Sequence, residues 1–195
     1  MSEEQKIVAV FTDGGLVGHN PSTKGGTWAW CAVTPEGEHV REVSAYLLPK
    51  TSTCPGNPRV GSDVVTNNDV EFFAAMRALE SMAVGWSGAL ATDSRITIER
   101  LKKCREGQMP TAFRADWFSR AECAFKRLGT VNLIHLAGHP TQKDLERGYK
   151  ENSDGTTTRV NRHQTWCDSR CRELAEQFEA RVNNFFEYVK QGALV

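Results

Sequence analysis

Several things are missing from this chain of 195 residues, and each absence excludes something. No charge of one sign is in excess: 24 basic and 24 acidic side chains leave a formal net charge of zero. Binding of nucleic acid by bulk charge alone is therefore excluded. No run approaches the roughly 18–20 uninterrupted apolar residues of a membrane span. The first six residues, Met1-Ser2-Glu3-Glu4-Gln5-Lys6, lack the basic start and apolar core of a secretory signal, which points to a cytoplasmic protein. The six cysteines, Cys31, Cys54, Cys104, Cys123, Cys167 and Cys171, form no Cys-x-x-Cys pair. Neither a zinc site nor a thioredoxin-like motif is spelled out, and reduced, mostly buried thiols are expected. There is no internal repeat and no low-complexity tract. What remains is a globular composition, 39% hydrophobic and 25% charged. It is long enough to bury a core without disulfides and is expected to form one domain over 1–195.

Hydrophobic periodicity then orders the elements. Residues 6–13 (KIVAVFTD) form a β-rich run that ends at Gly14-Gly15, and 26–35 (GGTWAWCAVTP, counted from Gly25) read as a second strand after paired glycines. Pro35-Glu-Gly-Glu38 reads as a hairpin turn into an alternating third strand over 39–48. Residues 49–65, rich in Pro, Gly, Ser and Thr, read as a loop. A helix is predicted over 68–83 with Phe72, Met76, Leu79 and Ala83 on one stripe. A short buried strand over 88–92, helices over 94–105 and 116–128, and a fifth strand over 130–137 follow. Residues 138–164 have no apolar period and many charges, so they read as a long loop, a length that is usually functional or disordered. A final amphipathic helix over 165–189 carries Cys167, Cys171, Leu174, Phe178, Val182, Phe185 and Val189 at steps of three and four. The order β-β-β-α-β-α-α-β-α predicts an α/β fold: three antiparallel strands, two more reached by helical crossovers, one mixed five-stranded sheet with helices on both faces. Loop insertions fall at about 49–65 and 140–164.

Charge is less even locally. From Arg95 to Arg127 nine basic side chains face four acidic ones. That excess fits a surface for phosphates, and equally a solvated helical face.

Four carboxylates stand at element ends: Asp13 at the end of the first strand, Glu71 in the first turn of the first helix, Asp93 at the end of the fourth strand and Asp168 in the first turn of the last helix. Beyond the carboxyl ends of central strands such groups face a common crevice. Crowded together they repel one another and shift toward protonation, a conflict that a divalent cation removes. Oxygen-only ligands favour Mg²⁺, with Mn²⁺ as a substitute, over zinc. Two such ions about 3.5–4 Å apart are the usual device for in-line attack on a phosphodiester. Each carboxylate also has a plainer reading. Asn68 with Glu71, and Thr165 with Asp168, fit helix-capping patterns; Asp13 is a common turn residue and Asp93 could start a helix. His139, after the fifth strand, could move protons near such a site or be a surface-loop histidine, and His163 is a weaker candidate for the same work. Trp117 and Trp166 read as core or half-buried helix residues.

Four segments, in order, carry a resemblance. They are Phe11-Thr-Asp13-Gly with Gly25-Gly26; Thr66-Asn-Asn-Asp-Val-Glu71 running into Phe-Phe-Ala-Ala-Met-Arg-Ala-Leu-Glu; Thr92-Asp93-Ser94; and Ala137-Gly-His139-Pro140 followed by Cys167-Asp168 with Glu173-Leu174-Ala175. Together they resemble the type 1 ribonucleases H over roughly residues 6–180, most closely those of phages and bacteria. The resemblance implies a ribonuclease H-like fold and an endonuclease that cuts the RNA strand of an RNA–DNA hybrid, leaving 3′-hydroxyl and 5′-phosphate ends. It implies Asp13, Glu71, Asp93 and Asp168 as ligands of two Mg²⁺ ions and His139 as an aid to product release or proton transfer. Gly14, Asn20, Asn67, Asn68 and Arg95 fall where the family contacts the hybrid. Amide side chains can both donate to and accept from the 2′-hydroxyls of a wide minor groove, though turn and cap duty explains the asparagines as well. The expected partner is the hybrid, with no membrane, and the protein is expected to act as a monomer.

The sequence also departs from the family. Gly15 stands where Ser is usual, and Arg95 where Gln is common. Little room separates Asp93 from His139 for an extra basic helix, which leaves Lys102, Lys103 and Arg105 as possible grips. The 141–164 and 49–65 stretches are enlarged. Within the same fold a junction resolvase or an exonuclease is the alternative, though Gly15 occupies the place of the exonucleases' second carboxylate. A hybrid-binding module without catalysis would lack a carboxylate, and none is missing.

Overall fold

In the computed structural model, residues 6–53, 56–108 and 114–190 are described; Cys54 and Met1–Gln5 lie outside the described residues. The strands are β1 (Ala9–Leu16), β2 (Gly26–Val33), β3 (His39–Leu47), β4 (Gly88–Thr92), β5 (Val131–His135), β6 (Tyr149–Glu151) and β7 (Thr157–Arg159). The helices are α1 (Asn67–Ser81), α2 (Arg95–Arg105), α3 (Ala115–Arg127), α4 (Gln142–Arg147) and α5 (Arg162–Lys190). The first five strands form one sheet in the order β3-β2-β1-β4-β5. β1–β2 and β2–β3 are antiparallel, while β1–β4 and β4–β5 are parallel. This is the expected mixed α/β sheet.

Strand alternation sorts the core into two layers. Val10, Trp28, Trp30, Ala32 and Leu90 face α1, α2 and α3, among Phe72, Phe73, Met76, Leu79, Trp117 and Phe118. Their sequence neighbours Phe11, Ala29, Cys31, Val33 and Ala91 face α5 and meet Cys167 and Cys171. β2 is buried on both faces, so its apolar residues run without a break. Cys31, Cys104, Cys167 and Cys171 are buried free thiols, and Cys123 is exposed. Trp117 is buried in the core and Trp166 is half-buried.

Several boundaries differ from the sequence reading, each for a local reason. α1 is capped by Thr66, whose hydroxyl accepts from Asp69 N while the Asp69 carboxylate accepts from Thr66 N. The expected Asn68–Glu71 cap is absent, and this register places Glu71 two residues deeper, past the first turn. α1 ends at Ser81, so Ala83 is exposed and Met82 takes the buried place. α5 begins at Arg162, which puts Asp168 in its second turn and rules out a Thr165–Asp168 cap. Of its stripe, Cys167, Cys171 and Leu174 are buried; the side chains of Val182, Phe185 and Val189 lie outside the described residues.

The largest correction concerns 138–164, which is folded rather than a loop. Its elements are held by polar atoms, which is why apolar periodicity missed them. Thr141 and Asp144 form a capping box for α4, Arg147 pairs with Asp144, and Gly148 closes the helix in a left-handed conformation. The β6–β7 turn is stitched by Asn152, Asp154 and Thr156 side chains.

The basic 95–127 segment is largely engaged within the fold. Arg114 pairs with Asp69 at 2.8 Å, Arg120 grips Glu80 through two hydrogen bonds, and Arg127 donates to the carbonyls of Leu79, Glu80 and Met82 at the end of α1. Lys102 pairs with Glu99, and Arg105 donates to Val131 O. The side chains of Arg95 and Lys103 are exposed. Among the described residues, no helix is long and apolar enough to cross a membrane.

Candidate active site

β1 is the central strand, and Asp13 sits on its α5-facing side near its carboxyl end, 6% exposed. Two glycines set what surrounds it. A Cβ on Gly14 would stand 2.6 Å from the backbone at Val70 and Glu71. Only a residue without a side chain lets α1 lie this close to β1, and the approach brings Glu71 to the strand. A Cβ on Gly138 would collide with the Asp93 carboxylate, so the chain leaving β5 lies against Asp93, which itself follows β4.

These elements and α5 enclose a cavity of about 280 Å³. Asp13, Gly14, Asn67, Glu71, Asp93, His139 and Asp168 line it, together with Gly15, Leu16, Cys171, Arg172 and Ala175. All four carboxylates expected to converge therefore do so, from segments up to 155 positions apart. Asn67 donates to Glu71 Oε1 at 2.5 Å. Arg172, one turn beyond Asp168, donates to its Oδ2 at 2.7 Å, and His139 Nδ1 stands 3.5 Å from the same oxygen. Gln164, one turn before Asp168 and buried, donates to Asp93 Oδ1 at 3.3 Å and to Thr12 O.

The electrostatics follow from the crowding. Burial raises Asp13 well above the usual carboxylate range, Asp93, Asp168 and Glu71 raise it further, and the Gly14 N–H opposes them. Glu71 is pushed up to about 7, chiefly by burial, against hydrogen bonds from Ser94 and Asn67 and the charge of Arg100. Burial also raises Asp93, with His139 nearby pulling it down and Asp168 pushing it up. A cavity lined by four acids, with one aimed up from the sheet, is an all-oxygen donor set that a hard divalent cation would neutralise. Among the described residues, no three His, Cys, Asp or Glu side chains are already drawn together as a cage for an ion. Mg²⁺ keeps several waters and needs only one or two direct carboxylates plus substrate phosphates, so an open arrangement suits it.

The other sequence candidates scatter. Asn20 is on the exposed turn after β1, where its Oδ1 accepts from Asn67 N at 3.4 Å, so it adjoins the cavity through Asn67. Asn68 opens onto a neighbouring cavity with Arg59, Arg100 and Arg114. Arg95, in the first turn of α2, lines neither. His163 is removed from the candidates. It is buried, its Nδ1 stands 2.7 Å from His39 Nε2, and burial first, then His39 and Arg162, lower its pKa to about 4. Sequence reasoning missed Arg172 and Gln164. Their spacing of four on either side of Asp168 was the available signal.

No protein-family model matches the chain. A ribonuclease H from Chlorobium luteolum is 33% identical over 175 residues, covering 89% of this chain and 95% of that protein. Among solved structures, the N-terminal RNase H domain of a Mycobacterium tuberculosis protein, 14% identical, superposes with a TM-score of 0.54 over 90% of this chain and 99% of the other. An RNase H1 isolated from compost, 17% identical, gives 0.53 over 88% of this chain and 97% of its own. The two structures carry the fold, and the Chlorobium relative carries the family: this chain belongs to the ribonuclease H family and is a ribonuclease.

Proposed function

We propose that the protein is an endoribonuclease that hydrolyses the RNA strand of RNA–DNA hybrids with the help of two Mg²⁺ ions held by Asp13, Glu71, Asp93 and Asp168. The observation that carries this reading is the meeting of four carboxylates, from four distant segments, in one cavity at the carboxyl end of the central strand. Ions bound there would supply an activated water and stabilise the leaving oxygen, giving 3′-hydroxyl and 5′-phosphate products.

The chain's own residues do the rest. Asp13, fixed by the Gly14 N–H and by burial, is the rigid floor of the site. Asn67 orients Glu71, and Gln164 orients Asp93. His139, three-quarters exposed at the rim, can carry a proton to or from the leaving group and release it to solvent. Gly14, Asn20 and Asn67 form the near edge on which the hybrid's minor groove rests. Asn68 and Arg95 extend that edge along α1 and α2. A single catalytic domain over 1–195, acting as a monomer, belongs to the same proposal.

The test is incubation with labelled RNA–DNA hybrid, duplex RNA, duplex DNA and a four-way junction, each with Mg²⁺ or EDTA. Cleavage of the hybrid alone, only with Mg²⁺, is expected, and His139→Ala should slow turnover while leaving Mg²⁺ binding intact. Cleavage of the junction in preference to the hybrid would replace this reading with a resolvase, and unimpaired cleavage by Asp93→Asn would remove the metal-ligand assignment.

A further inference from the structure

The imidazole of His139 is 75% exposed, so packing does little to hold it in place. Its backbone is in the left-handed region at φ 46°, a basin that non-glycine residues rarely occupy. A chain held in that basin at an exposed position relaxes unless neighbouring groups fix it. The fixing group comes from the hairpin that follows. Lys150 on β6 reaches back and its ammonium donates to two successive carbonyls, Gly138 O at 2.9 Å and His139 O at 3.2 Å. The hairpin is itself anchored: Ala137 N donates to Arg159 O at 2.8 Å, and Val160 N to Gly148 O at 3.2 Å. Between these two grips lies Gly138, packed on the Asp93 carboxylate.

We infer that Lys150 is a positioning residue for His139, locking the 138–139 backbone so that the exposed imidazole stays beside Asp168 and Asp93. This rests on the proton-handling reading of His139 above. It gives a role to an insertion that otherwise has no apolar reason to fold. An ammonium shared by two carbonyls is a charge-assisted contact and stronger than its neutral counterpart. A neutral side chain of the same length would leave both carbonyls to water and free the turn.

The experiment compares Lys150→Met, Lys150→Arg, His139→Ala and the Lys150→Met/His139→Ala pair in the full chain, on labelled RNA–DNA hybrid with Mg²⁺. Lys150→Met is expected to lower kcat about tenfold and to leave KM within about twofold. The double variant should be no slower than His139→Ala alone, because both changes remove the same contribution. Lys150→Arg, which can still donate to both carbonyls, should recover most of the rate. Without metal or substrate, NMR order parameters of the Gly138 and His139 backbone should fall in Lys150→Met. Amide exchange at β1 and α1 should stay unchanged, which shows that the fold is intact. Wild-type kcat in Lys150→Met beside a slow His139→Ala would overturn the inference, as would losses that multiply in the double variant. A raised KM would instead make Lys150 a direct phosphate contact and overturn it too. A wild-type rate for His139→Ala would sink the reading of His139 and this inference with it, and it is distinguishable because lower order parameters at 138–139 would still be seen in Lys150→Met.

Discussion

Asp13 is a buried acid with three other acids around the same cavity. Its raised pKa means that ionising it costs the fold more than it costs the unfolded chain, a penalty that grows as pH rises through the carboxylate range. Asp13→Asn removes the charge and keeps the shape. It should abolish hybrid cleavage while leaving the melting temperature, measured without metal at neutral pH, unchanged or higher, the usual exchange of stability for activity. A variant that is both inactive and several degrees less stable would show that Asp13 supports the fold. His163 has the opposite sign of a base. Its folded pKa near 4 lies below the ordinary value of 6.5, so below about pH 6.5 the unfolded chain takes up the proton first. Stability should therefore fall between pH 6.5 and 4 and level off below. The gap in melting temperature between the wild type and His163→Gln should narrow over the same interval, and a gap independent of pH would count against a neutral, buried imidazole paired with His39.

Elements in this protein are held together by specific approaches more than by length. β1 and α1 touch where Gly14 meets the Val70–Glu71 backbone, and a methyl group there has no flexible neighbour to displace. Gly14→Ala should cost about 1–3 kcal/mol of stability, the usual range for an overpacked site. It should cost activity out of proportion to that, because the helix that carries Glu71 is pushed away from Asp13; urea unfolding and kcat measured on the same samples give the comparison. α1 is also gripped at its far end by α3, where Arg127 meets the carbonyls of Leu79 and Glu80 in the last turn and of Met82 at the C-cap, Leu79 O also accepting from Met82 N. The polar insertion over 138–161 shows the limit of pattern reading at this scale. A six-residue helix and two three-residue strands bury almost nothing apolar, and side-chain caps and turn hydrogen bonds define them instead. Such bonds leave no period in the sequence.

For the whole molecule, net charge and its placement set how the substrate can be held. With a balance of zero and most of the 95–127 arginines committed to α1 and its neighbours, few cations of that segment remain to meet phosphates. Binding of the hybrid should therefore weaken only gently with salt. A log–log slope of magnitude below about 4 is expected, corresponding to roughly four phosphate contacts or fewer, and a steep slope near that of strongly basic nucleases would mean that the basic segment does face the substrate. The β-strand alternation in 9–16 and 26–33, the stripe of α1, and the order of strands and helices were legible in the sequence because hydrophobic period and turn chemistry act over a few residues. They determined the mixed sheet, its two-layer core and the positions of Asp13, Glu71, Asp93 and Asp168 near element ends. Only the tertiary structure decided that those four meet in one cavity, that Asn68, Arg95 and His163 stand outside it, that the arginines of α3 bond to α1, and that Lys150 reaches back to His139. Each of these depends on contacts between residues distant along the chain, or on polar geometry that no period encodes, and such contacts exist only once the strands have paired and the helices have packed across them.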